Sequence, residues 1–225
     1  MIREARAFFI QSYRLIAIAE LILVPLITLI CAIFLSAGDA DEWLHLILFS
    51  QGQMVIMVGA VLADYFQFGG CLTKDFVQMD LLRSSHRGDS FYERMLRLDV
   101  TRRASAYALA FLVSLPFALR TPWVSGFLLY GLAVPFLATA ITIRLCRRFD
   151  GMNVVIWFFY LGIIVMEVLL MGGAFVIMAW KDAFLGRVPF LFLPGLIVAL
   201  IGFFIARGTL RRSILKWKEH YHDAE

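Results

Sequence analysis

The sequence predicts an all-α, polytopic membrane protein with six transmembrane helices, and three observations carry that expectation. Of its 225 residues 61% are hydrophobic and 17% charged, against about a quarter charged in an ordinary soluble domain. Mean hydropathy is +0.81. Six apolar runs approach or exceed the roughly 20 residues a helix needs to cross a bilayer: Leu15–Ser36, Leu44–Ala63, Ala104–Leu119, Val124–Ile143, Val154–Ala179 and Val188–Ala206. The whole chain, 1–225, reads as one transmembrane domain with no room for a soluble one.

Residues 1–14, "MIREARAFFIQSYR", set Ile2, Phe8, Phe9 and Tyr13 among bases at helical spacing. This predicts an amphipathic helix lying at the membrane interface. The first run then predicts a span and not a cleavable signal, because its apolar core is too long and no small-x-small cleavage pattern follows. Glu20 lies about five residues inside it, close enough to reach toward the interface. The first connection, "SAGDADEW", is acidic and carries no base.

The second run leads into a charged connection, 64–103, and the stretch "SFYERMLRLDVTRR" within it carries two local signals. Ser90 and Glu93 fit a capping box, so a helix is predicted to start there. On that helix Phe91, Tyr92, Met95, Leu96 and Leu98 fall to one side and Glu93, Arg94 and Arg97 to the other. "DVTRR" then predicts a reset of the chain, with Asp99 or Thr101 capping the third span and Arg102 and Arg103 at headgroup level.

In the later runs Pro116, Pro135 and Pro194, like Pro25 in the first, predict kinks. Small residues four apart, Gly59/Ala63, Ala104/Ala108 and Gly195/Ala199, let helices approach closely. Val154–Ala179 is 26 residues long and contains Gly172–Gly173. Such a run either tilts or breaks at the glycines, and a break would send the following segment back into the membrane as a re-entrant piece. The tail, 207–225, is basic.

Orientation follows from the bases. Eighteen of the 21 Lys and Arg residues fall before the first run, in the second and fourth connections, or in the tail. Positive residues near span ends are retained on the cytoplasmic side, so both termini and the 64–103 connection are predicted to be cytoplasmic. The formal net charge of +4 expresses this asymmetry, and no basic, aromatic surface outside the spans suits nucleic acid. Cys31, Cys71 and Cys146 are scattered and imply no disulfide framework.

These features resemble the type-2 ABC exporter permeases: six spans with both ends inside, an N-terminal interfacial helix, and a basic second connection running from amphipathic helix through a turn into the third span. In that family the entry to the third span often reads Leu-x-x-Pro-[Val/Ile]-[Ser/Thr]-Arg. Here Leu96, Val100, Thr101 and Arg102 match, and Asp99 stands where the family usually has Pro. The resemblance implies a coupling helix at Phe91–Leu98, with Phe91, Tyr92, Arg94, Met95, Leu96, Arg97 and Leu98 docking on a separate ATP-binding subunit. It also implies re-entrant elements between the last two spans and a transporter of two permease units, this chain with a second copy or a homologue, in a bacterial inner membrane. The substrate would be amphipathic or hydrophobic. No G-x-x-x-x-G-K-[ST] loop occurs in the chain, so ATP hydrolysis would belong to the partner.

Glu167 sits mid-way along the fifth run. An ionisable group at membrane depth marks a pathway or a buried partner, and Glu167 is the candidate translocation-pathway residue. Asp75, Asp80, His86, Asp89 and Glu93 fit no metal-ligand spacing, and no nucleophile elbow or zinc-protease motif occurs. No catalytic residue, metal site or cofactor is expected on this chain. Two other classes remain open from the sequence: an enzyme acting on lipid or an isoprenoid carrier through Asp75, Asp80 or Asp89, and a non-catalytic membrane scaffold.

Overall fold

A computed structural model of the chain describes residues 11–37, 42–68, 87–147, 152–180 and 188–222. Among them every regular element is helical: α1 (Gln11–Ala37), α2 (Glu42–Phe68), α3 (Gly88–Ala118), α4 (Pro122–Cys146), α5 (Met152–Trp180) and α6 (Val188–His222). Five carry a stretch long and apolar enough to cross a membrane: Ala17–Ala37, Trp43–Tyr65, Trp123–Cys146, Ile156–Ala179 and Phe192–Leu215. The chain is therefore a multi-pass helical membrane protein. The interfacial helix expected over residues 1–14 lies, apart from its last turn, outside the described residues, as do Asp75, Asp80 and His86.

The expected third span is not among those five stretches. Its apolar residues form the second half of α3, a 31-residue helix about 46 Å long at 1.5 Å per residue. The expected reset at "DVTRR" is absent: α3 runs unbroken through Asp99 and Arg103. Thr101 does not cap a new helix but donates to the Arg97 carbonyl at 2.8 Å, a back-bond available inside any helix. The capping box is not formed either. Arg87 is the N-cap residue, Ser90 Oγ donates back to its carbonyl at 3.0 Å, and Glu93 pairs with Arg97 one turn on.

α3 and α4 form a tight antiparallel hairpin. Backbone amides of Leu119, Arg120 and Thr121 donate to Leu115, Phe117 and Ala118 at 2.9, 3.2 and 3.1 Å, and Pro122 opens α4, where its missing N–H removes no helical bond. α4 is the central helix, with 78% of its apolar stretch buried against 22% for α5 and for α6. It packs most extensively on α6, and α3 on α1.

Small residues set the α4–α6 distance. A Cβ at Gly195 would come within 2.8 Å of the Tyr130 backbone nitrogen, and one at Gly202 within 3.2 Å of the Leu137 Cα. Gly195 is thus committed to a contact within the chain.

The alternative of a break at Gly172–Gly173 is settled by the continuity of α5 from Met152 to Trp180. The two glycines differ sharply. A Cβ at Gly172 meets open space, whereas one at Gly173 would overlap the Tyr130 ring, whose hydroxyl donates to the Leu169 carbonyl at 2.8 Å. Gly172→Ala is therefore expected to hold or raise the thermal midpoint of the purified protein, since Ala is favoured over Gly inside a helix by about 1 kcal/mol. Gly173→Ala should lower it by an overpacking cost of about 1–3 kcal/mol. Equal behaviour of the two variants would contradict this packing of α4 on α5.

Candidate functional site

Six charged side chains converge at one end of the bundle. Asp99, Arg102 and Arg103 stand on α3 at spacings of three and four, which places them on neighbouring helical positions. Glu20 comes from the first half of α1, Asp64 from the last turns of α2, and Arg147 from the residue that ends α4. Arg102 pairs with Glu20 and, at 3.2 Å, with Asp99. Arg103 pairs with Asp99 and, at 3.3 Å, with Asp64. Arg147 holds Asp64 with two nitrogens, Nη2 and, at 3.1 Å, Nε, and donates from Nη1 to Ser213 Oγ of α6 at 3.2 Å. Three carboxylates face three guanidinium groups, so the cluster is neutral.

Burial makes this pairing obligatory. Glu20, Asp64 and Asp99 are 3%, 1% and 1% exposed, where an unpaired carboxylate would face a desolvation penalty of several kcal/mol. Charge-assisted, partly bidentate bonds supply the compensation. The cluster ties α3 to α1 and α2, and α4 to α2 and α6. None of these pairs was expected from the sequence. Glu20 was read only as reaching the interface, and Arg102 and Arg103 only as headgroup contacts. One signal was present: acids near the ends of two apolar runs, on the same side as the Asp99-x-x-Arg-Arg face.

The residues expected to dock on a partner are divided by the fold. Tyr92, Met95 and Leu96 are fully buried within the chain, on the same α3 stripe as Asp99 and Arg103. Of the apolar side of Phe91–Leu98, which could bury against the bundle or a partner, Tyr92, Met95 and Leu96 are thus covered within the chain. Arg94, Arg97 and Leu98 are exposed and Phe91 is half-buried. Asp89, in the first turn of α3, is exposed.

Glu167 accepts a hydrogen bond from Ser50 Oγ of α2, while its Oε1 is buried without a partner among the described residues. It lies far along α5 from the ion cluster and is not part of it. Gln53, one turn on from Ser50, is also fully buried, and neither of its amide atoms has a hydrogen-bond partner among the described residues. Cys31 and Cys146 are buried free thiols, and among the described residues no group of His, Cys, Asp or Glu is arranged to hold a metal ion.

Beside the cluster, α3, α4 and α6 border two adjacent spaces. A groove of about 380 Å³ has α4 as its floor and α3 and α6 as its walls, lined entirely by apolar side chains, Ala and Tyr107. A recess of about 30 Å³ next to it is lined by both Arg103 and Arg147 and by no carboxylate. Tyr107 and Phe136, in edge contact at 5.8 Å between ring centroids, line both. No protein-family model, curated protein or solved structure matches the chain.

Removing one partner of a buried pair strands the other. Arg103→Met should therefore lower folding stability by about 3–5 kcal/mol, read as a large fall in thermal midpoint in detergent. Arg97→Ala, which breaks the exposed pair with Glu93, should cost about 0–1 kcal/mol. Similar midpoints for the two variants would show that the α3 cluster carries no structural load.

Proposed function

We propose that the chain is the membrane-spanning permease subunit of an ATP-driven exporter, working with a separate ATP-binding subunit and a second permease copy or homologue in a bacterial inner membrane. In this reading six spans place both termini and the start of α3 in the cytoplasm, and a hydrophobic or amphipathic substrate moves outward. The observation that carries the reading is the continuity of α3. A helix about 46 Å long exceeds the roughly 30 Å hydrocarbon core, so its charged first turns project beyond the apolar half. The ion cluster fastens it to α1 and α2 between those two parts. A push on the projecting turns cannot be absorbed by a hinge at Asp99–Arg103, because none exists there. It is transmitted to the bundle, as coupling between ATP hydrolysis and a rigid-body switch requires.

The docking surface under this proposal is the exposed side of the first turns, Arg94, Arg97 and Leu98 with part of Phe91. Tyr92, Met95 and Leu96 serve instead to seat the lever on the bundle. Glu167, held by Ser50, is the candidate pathway group, and its test is the pair Glu167→Gln and Glu167→Leu. The amide keeps an acceptor for Ser50 and the alkyl chain does not, so a pathway role predicts impaired export by both with basal ATP turnover retained.

Two experiments test the proposal. Combined Arg94→Glu, Arg97→Glu and Leu98→Asp should weaken co-purification of the ATPase by about tenfold or more, on the order of 1.4 kcal/mol, with membrane insertion retained and the thermal midpoint lowered only by the loss of the exposed Arg97–Glu93 pair. Retained co-purification and ATP turnover would remove the coupling role from α3. In a cysteine-free background, Asp39→Cys and Asp182→Cys should react with an impermeant thiol reagent from outside the cell, while Asp89→Cys and Lys216→Cys should not. The basis is the distribution of 18 of the 21 bases under the positive-inside rule. Labelling at position 89 in intact cells would invert the topology.

A further inference from the structure

We infer that the groove between α3, α4 and α6 is a binding site for one anionic phospholipid, its acyl chain in the groove and its phosphate oxygens at the Arg103 and Arg147 end. The chemistry changes from one space to the adjacent one, which shares Tyr107 and Phe136 with it, as that of such a lipid does. The groove, about 380 Å³, falls within the roughly 300–1,000 Å³ of small-molecule sites. Its depth comes from Ala104 and Ala108 on α3, Ala133 on α4 and Ala199 on α6, four positions where a larger side chain would fill it. Ala108 is exposed and Ala199 half-buried, so the groove is open along its side, where a chain enters laterally from the bilayer.

The recess supplies the other half of the recognition. It is lined by two guanidinium groups, each with side chains 7–8% exposed, and by no acid among its lining residues. Both recorded bonds of Arg103 leave from Nη2, and its buried Nε has no acceptor among the described residues. Arg147 is already engaged by Asp64 and Ser213, so the unbonded donor beside the recess is Arg103 Nε. At about 30 Å³ the recess admits anionic oxygens and not a whole headgroup, which favours a phosphate at its mouth. A guanidinium matches phosphate geometry through paired N–H donors. Val100 and Leu210 border the recess, which puts it at the end of the apolar groove, the level at which a headgroup sits when its chain lies alongside α3. The inference depends on the membrane setting and not on the exporter reading.

The test uses the full-length protein reconstituted in vesicles of equal parts phosphatidylglycerol and phosphatidylcholine, extracted in mild detergent, and weighed intact by native mass spectrometry. The expected result is one retained phosphatidylglycerol per chain, enriched at least fivefold over phosphatidylcholine. Ala108→Phe, which fills the groove from an exposed position and leaves the ion cluster intact, should reduce retention to the level of bulk lipid with the thermal midpoint within a few degrees. Should Ala108→Phe fold poorly, Ala199→Phe fills the same groove from α6. Equal retention of the two lipids would make the groove an acyl-chain contact without headgroup recognition and overturn the assignment. Undiminished enrichment in a folded groove-filling variant would place the lipid elsewhere and overturn it too. Thermal stabilisation by inorganic phosphate alone, equal to that by phosphatidylglycerol, would identify a free-anion site and likewise contradict it.

Discussion

Three carboxylates placed where water cannot solvate them constrain the rest of this structure. Glu20, Asp64 and Asp99 are each at most 3% exposed, and in that setting a carboxylate must meet a cation. Arg102, Arg103 and Arg147 answer them, and because acids and bases come from four helices, the pairing fixes which helix segments meet. The first half of α1, the middle of α3 and the later parts of α2, α4 and α6 are drawn together. Apolar packing alone does not select such a register, since lipid tails are as apolar as the side chains they replace. The ion pairs discriminate among helix arrangements that hydrophobic burial leaves nearly equal in energy.

The same cluster gives α3 its mechanical character. Two parts with different surroundings, one charged and one apolar, are joined without a break, and the joint carries the buried ion pairs of α3. Below it Tyr92, Met95 and Leu96 pack into the bundle; above it Tyr107 packs on Phe136 and Ala110 is buried. The exporter proposal and the lipid site both draw on this geometry but on different parts of it. The first uses the helix as a lever. The second uses the recess between α3, α4 and α6 that Arg103 and Arg147 line.

Hydropathy made the helices legible. The run Leu15–Ser36 became Gln11–Ala37, and Val154–Ala179 became Met152–Trp180, because each apolar stretch must satisfy its backbone internally and a helix does so within one segment. The pair Gly172–Gly173 could not be resolved from sequence, since the ring of Tyr130, which decides the role of Gly173, comes from α4. "DVTRR" misled for a related reason. Asp and Thr are cap residues when their side chains are free to bond local amides, but Asp99 is occupied by Arg102 and Arg103 and Thr101 by the Arg97 carbonyl. The pairing of Glu20 with Arg102 spans 82 positions and leaves no local trace. Of the apolar side of Phe91–Leu98, Tyr92, Met95 and Leu96 are buried within the chain and Leu98 is exposed, a division that depends on neighbours remote in sequence.

The central claim is that buried charge pairing, and not apolar packing alone, holds α3 in its place. A double-mutant cycle on Glu20→Gln and Arg102→Gln, followed by denaturant unfolding of the purified protein, measures it most directly. Arg102→Gln leaves Glu20 without its cation, Glu20→Gln leaves Arg102 its pair with Asp99, and the double variant removes the pair, so the account predicts that the double variant is less destabilised than the sum of the singles, with a coupling of about 1–3 kcal/mol. Additive effects, with coupling near zero, would mean that the two residues do not stabilise the fold through each other and would contradict it.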